Sequence, residues 1–333
     1  MRPIRVVQFG LGSIGRAVAR LVHDKQGLEL VGGIDVAPEV VGRDLGEVLG
    51  LDGALGAPVA ADHAALQELA PDVVALCTRS LLEQVEPQLQ ACIEAGANVV
   101  STCEELSHPS TANRARWQRL HEAAAGAGVT VLGTGVNPGF VLDSLPLYAT
   151  AVCERVDAMR LRRVVDASSR RLPLQRKIGA GLSPDEFRRL ARKGSIGHVG
   201  LVESASMVAD RLGWELDTID ERLDPCLAGA RVTTPHLTIE QGMTTGIHQV
   251  VQGLRGGTVV LTVDLEMRVD ATDSFDAIEI DGTPDVSLRL QGGVSGDVAT
   301  RAITVNSIPR VVAAPPGLLR MIDLPLISAF GAV

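Results

Sequence analysis

The sequence predicts an α/β protein that begins with a parallel, doubly wound sheet and continues into an α+β domain with a mixed or antiparallel sheet. At 333 residues the chain is too long for one average domain. Short apolar runs alternate with helical stretches in its first part, and longer strand-like runs replace them after Gly139. We therefore expect domains at 1–140 and 141–298, with a C-terminal segment, 299–333, that returns to the first domain.

The first domain opens with an apolar strand, Ile4 to Phe9, and a helix in which Ile14, Val18 and Val22 recur at helical spacing. The same apolar character, typical of strands buried on both faces, recurs along this part of the chain. The further strands are expected at 28–34, 71–77, 98–101 and 129–132, and the further helices near 62–69, 81–95 and 110–126. Such alternation favours a parallel sheet with right-handed crossovers.

The second domain has a different pattern. Charged residues alternate with apolar ones over 263–269, which indicates a strand with one covered face and one wetter face. Strands are expected at 157–166, 231–240, 247–252, 258–269, 275–280 and 285–291, and helices near 183–194 and 198–213. The segment from 299 starts as a helix and turns at Pro315, Pro316 and Gly317.

Composition narrows the class of protein. The net charge of -9 argues against nucleic acid or anionic membranes as partners, because both need a basic surface. A local basic run is expected to be a solvated helix face; it contains Arg188, Arg189, Arg192 and Lys193. The five cysteines form no CxxC pair and no cluster with metal-ligand spacing, so we expect neither a disulfide framework nor a metal site. Without a signal-peptide pattern or an apolar run of membrane-spanning length, the default location is cytoplasmic.

A glycine-rich motif lies directly between the first strand and the first helix. Gly10, Gly12 and Gly15 fit the G-x-G-x-x-G pattern, with Ser13 and Ile14 inside it. In a Rossmann domain the glycines allow the tight turn, close approach of a pyrophosphate and tight helix packing. The helix start then offers free N–H groups and the positive end of the helix dipole to the phosphates.

Asp35 follows the second strand, 20 residues after Gly15. An acidic residue at this point accepts hydrogen bonds from the adenosine ribose hydroxyls and repels a 2′-phosphate. The sequence therefore predicts NAD as the cofactor, with NADP possible because Arg43 lies nearby and could soften that preference.

In an open α/β sheet, ligands bind beyond the carboxyl ends of the strands, so the residues that follow each strand should share one edge. Thr78 and Arg79 are expected beside the middle of the cofactor, and Glu104 and Asn137 toward its nicotinamide end; Cys103 is a further expected cofactor-binding residue of this edge. Glu104 has two interpretations at this stage. It can act as a general base or hold a cationic substrate nitrogen, or this residue or its neighbour Glu105 can simply complement a helix start.

Two other candidates also have more than one interpretation, and in both the structural one is favoured. Asn137, Pro138 and Gly139 form a turn signal at the domain crossover; their backbone either binds the cofactor carboxamide or only redirects the chain. His198 follows Gly197 at an expected helix start, where an imidazole either contacts substrate and shuttles protons or serves the structure.

The sequence also resembles a known family. The stretches that carry the resemblance are QFGLGSIG at 8–15, STCEEL at 101–106, GTGVNPGF at 133–140, RLPLQ at 171–175, IGHVGL at 196–201 and NSIP at 306–309. Together they are similar to the 2,4-diaminopentanoate dehydrogenases and the native amine dehydrogenases, which share a fold with dihydrodipicolinate reductase. The glycine motif is generic, whereas the CEE and GVNPGF segments are much more specific.

The resemblance implies NAD(P)-dependent oxidative deamination of a primary amine or diamino acid, or the reverse reductive amination of a ketone with ammonia. It implies that Glu104 is the central acid and base, that Asn137 and Gly139 position the nicotinamide, and that His198 lines the substrate pocket. The related reductases use adjacent histidines, and this sequence has no His-His pair. That difference weighs against dihydrodipicolinate reduction.

The substrate stays open. A diamino acid needs a cation for its carboxylate, and a basic stretch that includes Arg170, Arg171, Arg176 and Lys177 could supply one or could be a solvated loop. With an apolar pocket, alkyl amines or their ketones become the expected substrates. Two alternative functions are an imine reductase or other dehydrogenase of the same fold, and a sensor that binds NAD(H) without turnover. Relatives of this kind are commonly dimeric, so a homodimer is expected.

Overall fold

The computed structural model describes residues 2–331. Contacts within it divide the chain into two compact units, Met1–Phe140 with Ser295–Val333 and, between them in sequence, Val141–Val294. We refer to them as unit 1 and unit 2. No helix among the described residues is long and apolar enough to cross a membrane.

Unit 1 begins with the predicted alternation of strands and helices. The strands are β1 (Ile4–Phe9), β2 (Leu28–Ile34), β3 (Val59–Ala60), β4 (Val73–Leu76), β5 (Asn98–Ser101) and β6 (Thr130–Gly133). The helices are α1 (Ser13–Asp24), α2 (Leu45–Leu49), α3 (Ala65–Leu69), α4 (Leu82–Glu94) and α5 (Arg114–Ala127). All neighbouring strands of this sheet pair in parallel, so the predicted parallel sheet is confirmed.

The packing of unit 1 follows from where its apolar residues lie. In α1, Gly15, Val18 and Val22 form a buried stripe at helical spacing. Every residue of β4 is buried, as expected for a central parallel strand covered on both faces. Helices α4 and α5 contribute to one apolar cluster with the central strands.

Unit 2 combines short helices with a mixed sheet. The helices are α6 (Ser144–Ala149), α7 (Leu172–Lys177), α8 (Pro184–Ala191) and α9 (Leu201–Arg211). The strands are β7 (Arg155–Asp166), β8 (Thr218–Leu227), β9 (Val232–Thr233), β10 (Thr238–Ile239), β11 (Thr244–Arg255), β12 (Thr258–Arg268), β13 (Phe275–Thr283) and β14 (Val286–Gln291). The main sheet has the order β14-β13-β7-β12-β11-β8, with β7 and β12 parallel and the other pairs antiparallel. The predicted α+β domain is therefore confirmed.

Strand β12 shows the predicted alternation between a covered and a wetter face. Val263 and Leu265 are buried, whereas Asp264, which lies between them, and Glu266, which follows, are partly exposed. Helix α9 packs on β11 and β12. The apolar residues of these strands thus form the core of unit 2, and the charged residues face away from it.

Strand β8 was not predicted from the sequence. Its segment is rich in charged residues and contains Pro225, which argues against a central strand. The structure places β8 at the edge of the sheet, paired only with β11 within the described residues. An edge strand tolerates both proline and charge, because one of its sides needs no ladder hydrogen bonds.

Two other expectations for unit 2 were wrong in detail. The single strand expected at 231–240 is the short antiparallel pair β9 and β10, because Thr234 turns the chain: its N–H donates to the Leu237 carbonyl and its hydroxyl accepts from the N–H of Leu237. The helix expected from 198 begins at Leu201, because Gly197 and Gly200 have φ values of 122° and 107°, outside the helical region.

The chain ends in unit 1 with helix α10 (Gly296–Val312) and strand β15 (Gly317–Leu319). The sequence did not predict β15, which pairs in parallel with β6. The sheet order, within the described residues, is β15-β6-β5-β4-β1-β2-β3. Residues 332–333 of the predicted C-terminal segment lie outside the described residues.

Candidate active site

The central strands of unit 1 end at one level. In the registers of the parallel pairs, Phe9 lies opposite both Ile34 and Leu76, Leu76 lies opposite Ser101, and Ser101 lies opposite Gly133. The residues that follow these positions therefore share one edge of the sheet. The strand order reverses between β1 and β4, and this reversal is where open α/β sheets bind their ligands.

The glycine-rich loop occupies this point and requires its glycines. Gly10 has φ of 88°, and a Cβ there would lie 2.6 Å from the Cys77 carbonyl oxygen. A Cβ on Gly15 would lie 1.8 Å from the Gly10 carbonyl oxygen. Gly12, by contrast, has open space around its Cβ position; as the N-cap residue of α1 it makes no side-chain cap hydrogen bond, and Ser13 beside it is exposed. This open cradle of N–H groups fits a dinucleotide pyrophosphate.

Two side chains hold the loop in this shape. The buried Gln8 amide donates from Nε2 to the carbonyl of Gly10 at 3.0 Å and to that of Ala75 at 3.1 Å. The Asp35 carboxylate accepts from the N–H of Leu11 at 2.5 Å and from that of Ala37 at 2.9 Å. The structure thus brings Asp35 to the loop, as its position after β2 indicated. Gln8 was missed as a functional candidate, because nothing in the sequence marks it except its position near the end of β1.

Arg43, the residue that could favour a 2′-phosphate, makes contacts with neighbouring residues of unit 1. Its guanidinium pairs with Glu47 at 2.7 Å and donates to the Glu39 carbonyl at 2.9 Å. The hydrogen bond and charge of Glu47 raise the pKa of Arg43 above its usual value. The positive charge of Arg43 is thus partly neutralised by Glu47 of α2.

Thr78 and Arg79 follow β4 on the same edge. The Thr78 hydroxyl donates to the side-chain oxygen of Gln88 at 2.5 Å, and its methyl group would lie 2.8 Å from a Cβ on Gly10. Thr78 therefore packs directly against the glycine-rich loop. The Arg79 side chain is exposed.

Glu104 opens a short 3-10 helical turn, Glu104–Leu106, that follows β5. The hydroxyl of Ser107 donates to the Glu104 carbonyl at 2.7 Å, and the Asn113 amide donates to the Glu105 carbonyl at 3.0 Å. The Glu105 carboxylate accepts from the N–H of Leu82, the first residue of α4, at 2.7 Å. The helix-start role that the sequence left open between the two glutamates thus belongs to Glu105.

The thiols beside this turn are not nucleophiles. Cys103 is buried and donates to the Ser80 carbonyl at 3.2 Å. Burial raises the pKa of Cys103, and the negative charges of Glu104 and Glu105 raise it further. Burial likewise raises the pKa of Cys77. Both thiols stay protonated at neutral pH, and a role for Glu104 in catalysis stays a prediction.

The turn after β6 needs its glycines for packing. Gly139 has φ of 129°, and a Cβ there would lie 2.5 Å from the Gly135 carbonyl oxygen. Asn137 is 6% exposed. The N–H of Val136 donates to the hydroxyl of Thr300 in α10 at 3.2 Å, so the returning helix braces this turn. The glycine at 139 is thus explained by the fold, and its contact with a cofactor stays a prediction.

The remaining candidates lie in unit 2. His198 is half-buried in the loop between α8 and α9, and its backbone contacts the side chain of Gln249. Lys177 ends α7, and its carbonyl accepts from the N–H of Gly197 at 3.4 Å, so the structure brings the end of α7 beside the His198 loop. Arg171 directly precedes the opposite end of α7 and is exposed.

A glycine-rich loop at the reversal of such a sheet, with a carboxylate at the end of a neighbouring strand, defines a nicotinamide-dependent oxidoreductase. The comparisons with known proteins agree. A family model described as the 2,4-diaminopentanoate dehydrogenase C-terminal domain matches residues 140–332. A model of the dihydrodipicolinate reductase N-terminus matches residues 4–113.

Individual relatives match almost the whole chain. It is 31% identical to a 2,4-diaminopentanoate dehydrogenase of Acetoanaerobium sticklandii, over 98% of this chain and 94% of that protein. It is 26% identical to an amine dehydrogenase of Streptomyces virginiae, over 98% of each chain. The solved structure of an amine dehydrogenase from Mycobacterium smegmatis matches with a TM-score of 0.87 and 26% identity, covering 98% of this chain and 97% of that one. The chain belongs to the 2,4-diaminopentanoate dehydrogenase family, and the resemblance inferred from its sequence is confirmed.

Proposed function

We propose that this protein catalyses NAD(P)-dependent oxidative deamination of a primary amine or diamino acid, and in reverse the reductive amination of a ketone with ammonia, with Glu104 as its acid and base. The observation that carries this proposal is that the two glutamates in the turn after β5 have different positions and contacts. Glu105 caps α4 through the N–H of Leu82, and Glu104 stands beside it on the ligand-binding edge of the sheet.

The cofactor is assigned to the edge of unit 1. Gly10, Gly12 and Gly15 form the cradle for the pyrophosphate, and the N–H groups of Ser13 and Ile14 at the start of α1 face it. Thr78, Arg79, Cys103, Asn137 and Gly139 are assigned to the remainder of the cofactor. When bound, the nicotinamide supplies a hydride acceptor for deamination and a hydride donor for the reverse reaction.

Glu104 moves the protons of the reaction. Its carboxylate first accepts a proton from the substrate ammonium, so that the nitrogen lone pair is free to form the C=N bond as the hydride leaves the adjacent carbon. It passes that proton to solvent and, again a carboxylate, accepts a proton from the water that adds to the iminium carbon. It then gives this proton to the departing nitrogen and accepts the proton of the new hydroxyl group, so that neutral ammonia leaves as the C=O bond forms. One carboxylate serves these transfers because it returns to its charged form after each donation.

We assign NAD rather than NADP as the preferred cofactor. Asp35 stands at the glycine-rich loop as a carboxylate that would repel a 2′-phosphate. Arg43, which could attract that phosphate, is paired with Glu47. Use of NADP would require Arg43 to leave this pair.

The substrate-contacting residues are proposed from the sequence and its family resemblance. Asn137 and His198 are proposed to contact it, and Arg171 or Lys177 to bind a carboxylate where the substrate is a diamino acid. Both cations are exposed, and Lys177 lies beside the His198 loop through its backbone. A diamino acid thus has a cation available, whereas an alkyl amine needs none.

The decisive test is NAD(P)H absorbance at basic pH with wild type and Glu104→Gln. The substrates are 2,4-diaminopentanoate, short alkyl amines and cyclohexylamine, each offered with NAD and with NADP. We expect turnover by wild type and a loss of kcat of about 100- to 10,000-fold in Glu104→Gln, the usual share of general acid–base catalysis, with NADH binding unchanged. If NADH binds but no amine is oxidised and no ketone is aminated, an imine reductase or a sensor replaces this proposal.

A homodimer through the open face of the unit 2 sheet belongs to this proposal. That face bears charges of both signs: Arg162 lies 3.9 Å from Asp264 and 3.7 Å from Glu266, and His248 contacts Asp264 at 2.9 Å. Such a mixed-charge face is complementary to a second copy of itself. Analytical ultracentrifugation of wild type and Arg162→Glu tests the dimer: a wild-type protein that sediments as a monomer contradicts it.

The cytoplasmic location stays a prediction.

A further inference from the structure

The loop that carries His198 has little regular structure of its own. It joins α8 to α9, and Gly194, Gly197 and Gly200 within it have φ values of 65°, 122° and 107°. Glycines in such conformations give a loop freedom that folding must restrict. A precise position for His198 therefore has to come from contacts with another part of unit 2.

One side chain of β11 supplies these contacts. The Gln249 side-chain oxygen accepts from the N–H of His198 at 2.9 Å, and its nitrogen donates to the His198 carbonyl at 2.8 Å. The primary amide thus satisfies both backbone groups of a single residue, as a neighbouring strand would. Because both ends of the His198 backbone are held, the direction of its Cα–Cβ bond is held as well. Gln249 is 4% exposed, so water competes poorly for either bond.

Glu221 of the edge strand β8 orients this amide. Its carboxylate accepts from the Gln249 nitrogen at 2.7 Å. A carboxylate accepts but does not donate, so the amide nitrogen must face Glu221 and the amide oxygen must face the His198 N–H. The charge also strengthens the bond.

Gly197 allows the loop to approach the amide. A Cβ at this position would lie 3.1 Å from a methyl group of Leu223 and 3.6 Å from the Gln249 side-chain oxygen, and φ of 122° disfavours any side chain. The residue before His198 is thus fitted to a close approach to β8 and β11.

We propose that Gln249 is a positioning residue, which holds His198 in the orientation that contacts substrate, and that Glu221 fixes the Gln249 amide for this purpose. This inference rests on the proposed function, since it assigns His198 to the substrate. Gln249 lies 51 residues from His198 in sequence and acts only through it.

Enzyme kinetics with the proposed amine substrate test the positioning role. Gln249→Ala and His198→Ala are each expected to lower kcat/KM by roughly 10- to 100-fold, as small displacements of substrate-contacting groups do. The double variant should be no worse than His198→Ala alone, because Gln249 acts through that side chain. The Kd for NADH should stay unchanged in all three. Additive losses, or a normal kcat/KM in Gln249→Ala, would overturn the proposal.

Limited trypsin digestion gives a readout that does not depend on activity. Arg192 and Lys193 are exposed at the start of the loop and offer cleavage sites. Gln249→Ala should be cut there several-fold faster than wild type, whereas Gln252→Ala, an exposed glutamine of the same strand, should match wild type. Equal cleavage of all three proteins would show that the amide does not order the loop.

Glu221→Ala keeps the test decisive if Gln249→Ala does not fold, because Glu221 is on the surface. Glu221→Ala should lower kcat/KM by a smaller factor than Gln249→Ala does. An unchanged kcat/KM in Glu221→Ala would overturn the role of Glu221. A wild type that oxidises no amine overturns the proposed function itself. A Gln249→Ala enzyme with normal kcat/KM, beside an active wild type, overturns only the positioning role.

Discussion

The two candidate regions of this molecule are put in place by different means. In unit 1, each residue of the ligand-binding edge follows a parallel strand, and the strands end in register from Ile34 through Phe9 to Gly133. In unit 2, His198 sits on an irregular loop that a glutamine from a distant strand holds. Position therefore comes from the regular backbone in the first region and from individual side chains in the second. Substitutions should expose this difference.

The largest effect on stability is expected at a buried ion pair of unit 2. Arg163 contacts Asp276 at 2.8 Å, with their side chains 4% and 2% exposed, and both also bind the backbone of Val294. Asp276→Ala leaves a buried charge without its partner and should lower the free energy of unfolding by about 3–5 kcal/mol. Urea unfolding followed by fluorescence of Trp214, in a Trp117→Phe background, measures this in unit 2.

An exposed ion pair of the same sheet provides the control for Asp276→Ala. Arg160 pairs with Asp281 at 2.9 Å, but both side chains are about half exposed. Arg160→Ala should cost less than about 1 kcal/mol. Equal losses in Asp276→Ala and Arg160→Ala would mean that side-chain burial does not decide stability in unit 2.

The glycine-rich loop should show the next largest effect. Gly15→Ala places a methyl group 1.8 Å from the Gly10 carbonyl oxygen, so the loop must change shape and NADH binding should weaken at least about 100-fold, or about 2.7 kcal/mol. Gly12→Ala meets nothing within 4 Å and should leave the melting temperature of the free protein unchanged, while its methyl group occupies the cradle and weakens NADH binding. Calorimetric titration with NADH compares the two, and equal affinity in wild type and Gly12→Ala would place the pyrophosphate elsewhere.

Glu105 should show a moderate effect. Glu105→Ala leaves the Leu82 N–H at the start of α4 without its acceptor, at a cost of about 1–3 kcal/mol, and loosens the turn that carries Glu104. Glu105→Gln keeps a side-chain oxygen for this bond and should retain most of the stability. Fluorescence of Trp117, whose indole N–H donates to Leu106 of the same turn, follows the change. The capping role fails if Glu105→Ala unfolds at the urea concentration of wild type.

The smallest effect is expected on cofactor preference. Asp35→Asn keeps an oxygen for the Leu11 N–H but removes the negative charge, so the ratio of NADP to NAD affinity should rise by about tenfold, or about 1.4 kcal/mol. Glu47→Gln weakens the hold on Arg43 and should shift the ratio in the same direction by less. Titration of each variant with NADH and NADPH measures the ratio, and an unchanged ratio in Asp35→Asn would remove the basis for assigning NAD.

What could be predicted from the sequence follows the same division. The glycine motif and Asp35 were found because a strand, a turn and a helix repeat in short, local patterns, and topology then places their ends on one edge. Gln8 and Gln249 were not found, and Glu105 was named only as one of two possible helix-start residues, because each acts through hydrogen bonds to residues that only the folded chain brings near. Strand β8 was missed for a related reason, since an edge strand lacks the apolar pattern by which strands are recognised.

The pairing of β15 with β6 has a consequence for how the chain folds during synthesis. Residues 317–319 complete the sheet of unit 1, and they leave the ribosome after the whole of Val141–Val294. Unit 2 is continuous in sequence. Its synthesis begins after that of unit 1, but all of its strands have been made before β15 of unit 1 is made. The unit whose first strands are made before unit 2 is therefore the last to be finished, and until then β6 presents an open edge to its surroundings.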